Sequence, residues 1–184
     1  MNFEDFTSIV EKDLDQAQSL INKNHELVNL RSKNVGETPL QYLAIENKCK
    51  AVMWLINNGA DVNTVNEFNE TPLHNAARLA YHDMCKLLLE NGAKTNVKCH
   101  IGTTALSSAY LSGNRRVFML LRKHSPGDIN DYFDDTDADM IYDILDNNRL
   151  KKYVFKMGLK RRNGLQIAAP DLAPRQGFCS VLSG

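Results

Sequence analysis

The sequence has few of the features that mark exported, membrane-bound or nucleic-acid-binding proteins. Its 184 residues carry no net charge, because 22 basic residues balance 22 acidic ones, so nothing attracts the whole chain to nucleic acid or to a membrane surface. No apolar run approaches the ~20 residues of a membrane span. The N-terminus lacks the basic start and apolar core of a secretory signal. We therefore predict a cytoplasmic protein, with the nucleus as a second possible compartment.

Cysteine is also scarce and irregularly placed. The four cysteines show neither a CxxC pair nor metal-finger spacing, which excludes the common structural zinc sites. We interpret them as free thiols in a reducing compartment. A hydrophobic content of 43% and a charged content of 24% are typical of a folded domain.

A repeat of 33 residues runs through the chain. Thr38, Thr71 and Thr104 are each 33 residues apart, and each opens a short block with leucine two residues later. Gly59 and Gly92 mark the other end of the unit at the same spacing. Between these marks, apolar residues recur three and four residues apart, which predicts that they share one helical face.

Each unit reads as two antiparallel helices and a projecting turn. Threonine before Pro-Leu is a helix N-cap, and proline fits the first helical turn. Asn-Gly ends the second helix, because glycine accepts the left-handed conformation found there. A single helix pair cannot bury its own apolar face, so the pairs are predicted to stack into one continuous core.

The blocks "TPLHNAA" and "CKLLLENGAKTN" within residues 69–96, with "GADVN" after Asn58, resemble the ankyrin repeat. The resemblance is clearest over residues 35–125 and implies an all-α solenoid of about five helix pairs with atypical terminal repeats. We predict an ankyrin-repeat domain over residues 1–163, followed by a flexible tail. The predicted boundaries are residues 1–34, 35–67, 68–100, 101–133 and 134–163 for the repeats, and 164–184 for the tail.

Few residues suggest catalysis. His74 stands in the Thr-Pro-Leu-His block, where the resemblance implies a structural role in bracing the adjacent loop. Cys99 and His100 could form a nucleophile pair or two metal ligands, but adjacent residues on a turn point in different directions and no further ligand shares their spacing. We predict no enzyme activity, no metal and no cofactor.

The variable positions are predicted to carry the function. In this fold the projecting turns and first helices line a concave groove, and solenoids bind partners on such surfaces. Val35, Phe68 and Ile101 are predicted to form an apolar stripe about 20 Å long across the loop tips, or else to fold back against their own turns. The predicted partner-binding residues are Val35, Glu37, Ile45, Glu46, Phe68, Glu70, Arg78, Leu79, Ile101, Leu111 and Ser112.

Charge is uneven only near the C-terminus. Eight aspartates lie within residues 128–146, and seven basic residues lie within residues 149–162. A solvated terminal repeat with acids at a helix start and bases at a helix end accounts for most of this pattern. A second, charged binding site is the alternative.

These observations favour a monomeric, non-catalytic module that binds another protein and sequesters, inhibits or recruits it. They do not favour a nucleic acid, a membrane or a small-molecule substrate as the partner. The alternative is a targeting or adaptor subunit whose C-terminal tail docks a second protein. The richness in asparagine and the lack of an appended domain suggest a microbial or viral effector that acts on host proteins, in which case the chain would work in the host cytoplasm.

Overall fold

Short α-helices follow one another in pairs along the part of the chain that the structure describes. The computed structural model describes residues 1–127 and Tyr132, so the predicted repeat at 134–163, the acidic and basic segments and the tail lie outside the described residues. Within them there are helices and no strands, which confirms the predicted all-α architecture. The helices are α1 (Phe3–Lys12), α2 (Leu14–Lys23), a 3-10 helix (His25–Asn29), α3 (Pro39–Ile45), α4 (Cys49–Asn57), α5 (Pro72–Arg78), α6 (His82–Glu90), α7 (Ala105–Leu111) and α8 (Arg115–His124).

The helix pairs stack side by side. Within each pair the two helices contact each other, and along the stack α1, α3, α5 and α7 contact in succession, as do α4, α6 and α8. The apolar positions of successive units therefore meet across each interface and form a single continuous core. This arrangement is how a solenoid buries faces that no unit could bury alone.

Threonine begins three of the first helices. Thr38, Thr71 and Thr104 are N-caps in extended conformation, and each forms a capping box with the residue three positions later. In a capping box, two main-chain N–H groups that the helix leaves unpaired gain side-chain partners. The N-cap prediction made from the repeated threonine is confirmed.

The left-handed backbone positions also recur every 33 residues. Gly59 and Gly92 end α4 and α6 with φ of +88° and +85°, as predicted from the Asn-Gly pairs. Ser125, at the next step, does not adopt this conformation: its φ is −100° and its ψ is 105°. Its hydroxyl instead donates to the Leu121 carbonyl at 2.8 Å, so α8 ends without a left-handed residue.

A second left-handed position lies between the two helices of each pair. Asn47, Ala80 and Gly113 occupy it with φ of 56°, 60° and 71°. Alanine rarely adopts this conformation, because its Cβ approaches the following carbonyl oxygen. The backbone at Ala80 is therefore strained, while glycine at the equivalent position 113 is not.

Apolar residues of the second helices form two lines in repeat register, and both lines are buried. Met84, Val117, Leu88 and Leu121 have no solvent exposure. Tyr110 and Phe118 pack edge to face, with ring centroids 6.1 Å apart, and join α7 to α8. A third line in repeat register is only partly buried against this core; it consists of Trp54, Leu87 and Leu120.

Candidate protein-binding surface

The projecting loops are closed by main-chain hydrogen bonds at their bases. The Asn66 N–H donates to the Glu70 carbonyl at 3.1 Å, and the Cys99 N–H donates to the Thr103 carbonyl at 2.9 Å. In the first loop the bond runs from Ser32 to Glu37 at 2.9 Å and so spans one residue more. The first loop is therefore one residue longer than the two that follow it.

Adjacent loops are also bonded to each other. The Glu67 N–H donates to the Val35 carbonyl at 3.0 Å, and the His100 N–H donates to the Phe68 carbonyl at 2.9 Å. The Asn69 side chain adds a bond to the Lys98 carbonyl at 2.6 Å. Because each loop is tied to its neighbour through the main chain, the loop tips form one ordered surface.

A second set of bonds joins each capping box to the next loop. The side-chain amide of Gln41 donates to the Glu70 carbonyl at 2.8 Å, and the His74 Nε2 lies 3.2 Å from the Thr103 carbonyl. Both bonds span 29 residues. Residues that are 33 apart in sequence therefore repeat the same interaction at successive interfaces.

The predicted apolar stripe differs in exposure along its length. Val35 is half-buried, whereas Phe68 is 53% exposed and Ile101 is 77% exposed. The bonds between loops bring the three residues onto neighbouring tips. Phe68 and Ile101 therefore present apolar side chains to solvent, and the Phe68 loop is bonded to a neighbouring loop on each side.

The predicted helix positions lie in repeat register at the ends of the first helices. Ile45, Arg78 and Leu111 are the last residues of α3, α5 and α7, and these helices pack side by side. Arg78 and Leu111 are exposed, and Ile45 is half-buried. The C-cap residues that follow them are Glu46, Leu79 and Ser112, of which Leu79 alone is half-buried and the other two are exposed.

Arg78 is held in place by its own helix. Its guanidinium donates to the Asn75 side-chain oxygen at 2.9 Å. Asn75 itself is buried, and its side-chain nitrogen has no hydrogen-bond partner among the described residues. The pair places a fixed positive charge in the row of first-helix residues.

Two glutamates mark the first two loops. Burial of Glu37, and secondly the charge of Glu70, raise the pKa of the Glu37 carboxyl above its usual value. Glu70 is tied to its own loop, since its N–H donates to the Asn66 side-chain oxygen at 2.9 Å. The predicted pair Glu37 and Glu70 thus lies close enough to interact electrostatically.

The candidate chemical groups have structural roles in the described residues. The His74 ring accepts a hydrogen bond from the Thr71 N–H at 3.1 Å, which together with its bond to the next loop accounts for both ring nitrogens. The Cys99 sulfur lies 2.8 Å from the Thr103 hydroxyl and is buried, whereas His100 is exposed. The described residues contain no group of three or more side chains that could hold a metal ion.

Several contributors to this surface do not follow from the repeat pattern. Arg31 clamps the first two loops by donating to the Gly36 carbonyl at 2.7 Å and to the Val65 carbonyl at 2.6 Å. The repeat pattern predicts a helix pair within residues 1–34 but does not locate its first helix, α1, in which Phe3, Phe6 and Val10 follow the helical spacing and are buried. That spacing is the signal in the sequence that locates the first helix.

A pocket of about 290 Å³ lies between α1 and the first loop. Phe3 and Thr7 of α1, Val35 and Glu37 of the loop, and Tyr42 of α3 are among its lining residues. The Phe3 and Tyr42 rings pack edge to face, with centroids 5.9 Å apart. The pocket joins the apolar stripe through Val35.

Stacked helix pairs with bonded loops define a helical repeat protein, and comparison with known proteins identifies the type. The model of ankyrin repeats in three copies matches residues 7–99 and 43–133. The chain belongs to the ankyrin-repeat family. Repeats of this family generally serve as protein–protein interaction modules.

The similar proteins come from diverse organisms. An ankyrin repeat protein of Rickettsia bellii is 38% identical over 63 residues, which cover 34% of this chain and 26% of the relative. One from fowlpox virus is 34% identical over 74 residues, covering 40% of this chain and 17% of the relative. Inversin from Gallus gallus is 31% identical over 112 residues, which cover 60% of this chain and 10% of inversin. The matches thus span about a quarter or less of each relative's length.

One further observation concerns membranes. None of the helices in the described part of the chain has both the length and the apolar character needed to cross a bilayer.

Proposed function

We propose that this chain is a non-catalytic module that binds a partner protein through its loop tips and first helices, and thereby sequesters, inhibits or recruits that partner. The observation that carries the proposal is the exposure of Phe68 and Ile101 on loops that are bonded to each other. An apolar side chain on a preorganised backbone loses little conformational freedom when a partner covers it. Aromatic anchors of this kind dominate the binding energy of many interfaces.

The polar surroundings support the same function. Glu37 and Glu70 lie in the same loops as Val35 and Phe68, and Arg78 adds a positive charge at the end of α5. An apolar centre with a charged edge is the usual anatomy of a protein interface. The His74 and Cys99 side chains are engaged in structural bonds within the described residues. A catalytic role for them has no support in this arrangement.

Partner capture from lysate with matched variants tests the proposal. Phe68→Ala removes the anchor from the loop tip, whereas Met119→Ala removes a similarly exposed apolar side chain from α8, away from the loops. We expect a protein captured by the wild type to be lost with Phe68→Ala and retained with Met119→Ala. Circular dichroism checks that both variants fold. Capture that survives Phe68→Ala and Ile101→Ala together would reject the loop tips as the binding surface.

A second candidate is an adaptor that docks a further protein through residues 164–184. Deleting those residues distinguishes the two candidate functions, because the deletion spares a partner that the loop tips capture and removes a partner that the tail captures. The relatives in Rickettsia bellii and fowlpox virus favour testing lysates of animal host cells, where an effector of this kind would act in the cytoplasm.

A further inference from the structure

The pocket between α1 and the first loop has the size of a site for one side chain. Ligand pockets for whole small molecules generally occupy about 300–1,000 Å³, and this one holds about 290 Å³. It lies at the end of the apolar stripe, because Val35 belongs to both. A segment that lies along the loop tips would therefore reach it.

The ionisable side chains that line the pocket are acidic apart from a tyrosine. They are Glu4 and Glu11 from α1 and Glu37 from the loop. Glu11 is paired with Lys48 at 2.6 Å, whereas Glu4 and Glu37 have no cation within salt-bridge distance among the described residues. The pocket thus presents two unpaired carboxylates to whatever enters it.

Cations near the pocket do not neutralise these charges. Lys48 lies at the rim with its ammonium group on Glu11. The ammonium group of Lys12 lies 3.0 Å from the Ser8 hydroxyl and is exposed. The Arg31 guanidinium donates to the Gly36 carbonyl at 2.7 Å beside the pocket. None of these three cations is among the lining residues, so the side chains that line the pocket carry negative charge and no positive charge.

The pocket also has an aromatic wall. Tyr42 is 37% exposed, and Phe3 holds its ring by an edge-to-face contact. Half-burial and the nearby Glu70 disfavour the charged form of Glu37 in the free protein. A cation that approaches Glu37 removes this penalty. A flat cation fits best, because it can stack on an aromatic face and pair with a carboxylate.

We propose that this pocket binds an arginine side chain of the partner protein, with the guanidinium paired to Glu37 and stacked on Tyr42. This inference rests on the proposed function and adds the chemistry of the partner to it. Repeats stack at about 10 Å, and a chain in the polyproline II conformation advances about 3.1 Å per residue with three residues per turn, so every third side chain lies on one face. The arginine therefore lies about three residues from the apolar side chain that covers Phe68, and about six from the one that covers Ile101.

Peptides with this spacing test the proposal directly. The probes are acetyl-Arg-Gly-Ser-Leu-Gly-Ser-Leu-amide and the same residues in reverse order, titrated into the full chain and followed by amide NMR. We expect at least one of them to bind with a Kd below roughly 1 mM and to shift the amide signals of residues 35–37 and 42. If neither shifts these signals, the proposal is wrong.

Matched variants then assign the contacts. Glu37→Gln removes the charge but keeps the shape, and we expect it to weaken binding about tenfold, as loss of a charge-assisted hydrogen bond does. Glu90→Gln removes an exposed carboxylate from the last residue of α6, outside the pocket and outside the predicted binding residues, and should change the affinity less than about twofold. Tyr42→Ala should weaken binding severalfold, and a lysine peptide should bind severalfold more weakly than the arginine peptide. Equal affinity for the Glu37→Gln and wild-type proteins, or for lysine and arginine, would overturn the proposal.

The same variants separate this inference from the proposed function. Glu37→Gln and Phe68→Ala are both carried into the partner-capture experiment. A partner lost with Phe68→Ala but fully retained with Glu37→Gln would uphold the binding module and reject the arginine pocket. The peptide titration is read without any natural partner, so it judges the pocket even if no partner is captured.

Discussion

His74 couples the stability of this protein to pH, and its neighbour in the repeat provides the control. The Thr71 N–H donates to Nδ1 of His74, so Nδ1 carries no proton and Nε2–H donates to the Thr103 carbonyl. Gln41 makes the two equivalent hydrogen bonds one repeat earlier. Its side-chain oxygen accepts a bond from the Thr38 N–H at 3.2 Å, and its side-chain amide donates to the Glu70 carbonyl of the next loop. His74→Gln therefore keeps both bonds without a titratable group.

The loss of both hydrogen bonds is expected to lower the free energy of unfolding substantially. In His74→Ala the buried Thr71 N–H has no partner, which costs about 1–3 kcal/mol, and the bond to Thr103 adds about 1 kcal/mol. We expect the free energy of unfolding to fall by about 3 kcal/mol in total, before any further loss from the cavity that alanine leaves in place of the imidazole. For a chain of this length that corresponds to a fall in Tm of about 10 °C. His74→Gln should stay within about 1 kcal/mol of the wild type.

The pH dependence follows from the direction of the pKa shift. Burial lowers the pKa of His74 from its ordinary 6.5, against the opposing effects of the Thr103 carbonyl and the Glu70 charge. The folded state therefore binds the proton more weakly than the unfolded state. Stability is intact above pH 6.5, and it falls as the pH drops from 6.5 towards the lower folded-state pKa. A proton on Nδ1 would also face the Thr71 N–H donor.

Urea denaturation of wild type, His74→Gln and His74→Ala at about pH 7.5 and about pH 5.5 measures this effect. The other titrating groups are common to all three proteins and cancel in the comparison. We expect the wild type to lose more stability at the lower pH than His74→Gln does. Equal losses in the two proteins would refute the assignment, as would a His74→Ala variant as stable as His74→Gln.

Three further predictions concern the backbone, the loop charges and the core. Ala80→Gly should stabilise the protein by about 1 kcal/mol, because it relieves a left-handed alanine; an unchanged or lower urea midpoint would contradict this. Glu37→Gln should raise Tm at neutral pH, because the raised pKa of Glu37 shows that the folded state disfavours its charge. That gain should disappear as the pH falls below the ordinary value of 4.5, where the carboxyl is protonated in both states. Leu88→Ala should cost about 3 kcal/mol, because Leu88 is fully buried in α6; a loss below 1 kcal/mol, measured by the same urea titration, would show that the core relaxes around it.

The repeated unit could be predicted because its signals are local. Thr71 caps α5 through bonds to its own helix, and Gly92 ends α6 through its own backbone conformation. The row of binding candidates follows from adding 33 to each number. The 33-residue spacing alone therefore predicts that Phe68 and Ile101 occupy equivalent positions on neighbouring loops.

Exposure and pocket formation could not be predicted in this way, because they depend on contacts between distant elements. Val35 occupies the same repeat position as Ile101, yet it is half-buried. The difference arises because α1 and Tyr42 enclose the first loop. Likewise, nothing near Arg31 in the sequence indicates that its guanidinium reaches the Val65 carbonyl 34 residues away.

The bonds of equal span between repeats have a consequence for how such a chain can change length. The two interfaces that join the three loops repeat the same donors and acceptors, one unit further along the chain. If residues 68–100 were deleted, Gln41 would meet the Thr103 carbonyl in place of that of Glu70, and the Glu67 N–H would keep its bond to the Val35 carbonyl. A whole unit could thus be lost or duplicated without creating an unpaired group at the junction. The same fold can therefore acquire a longer or shorter binding surface in one genetic step.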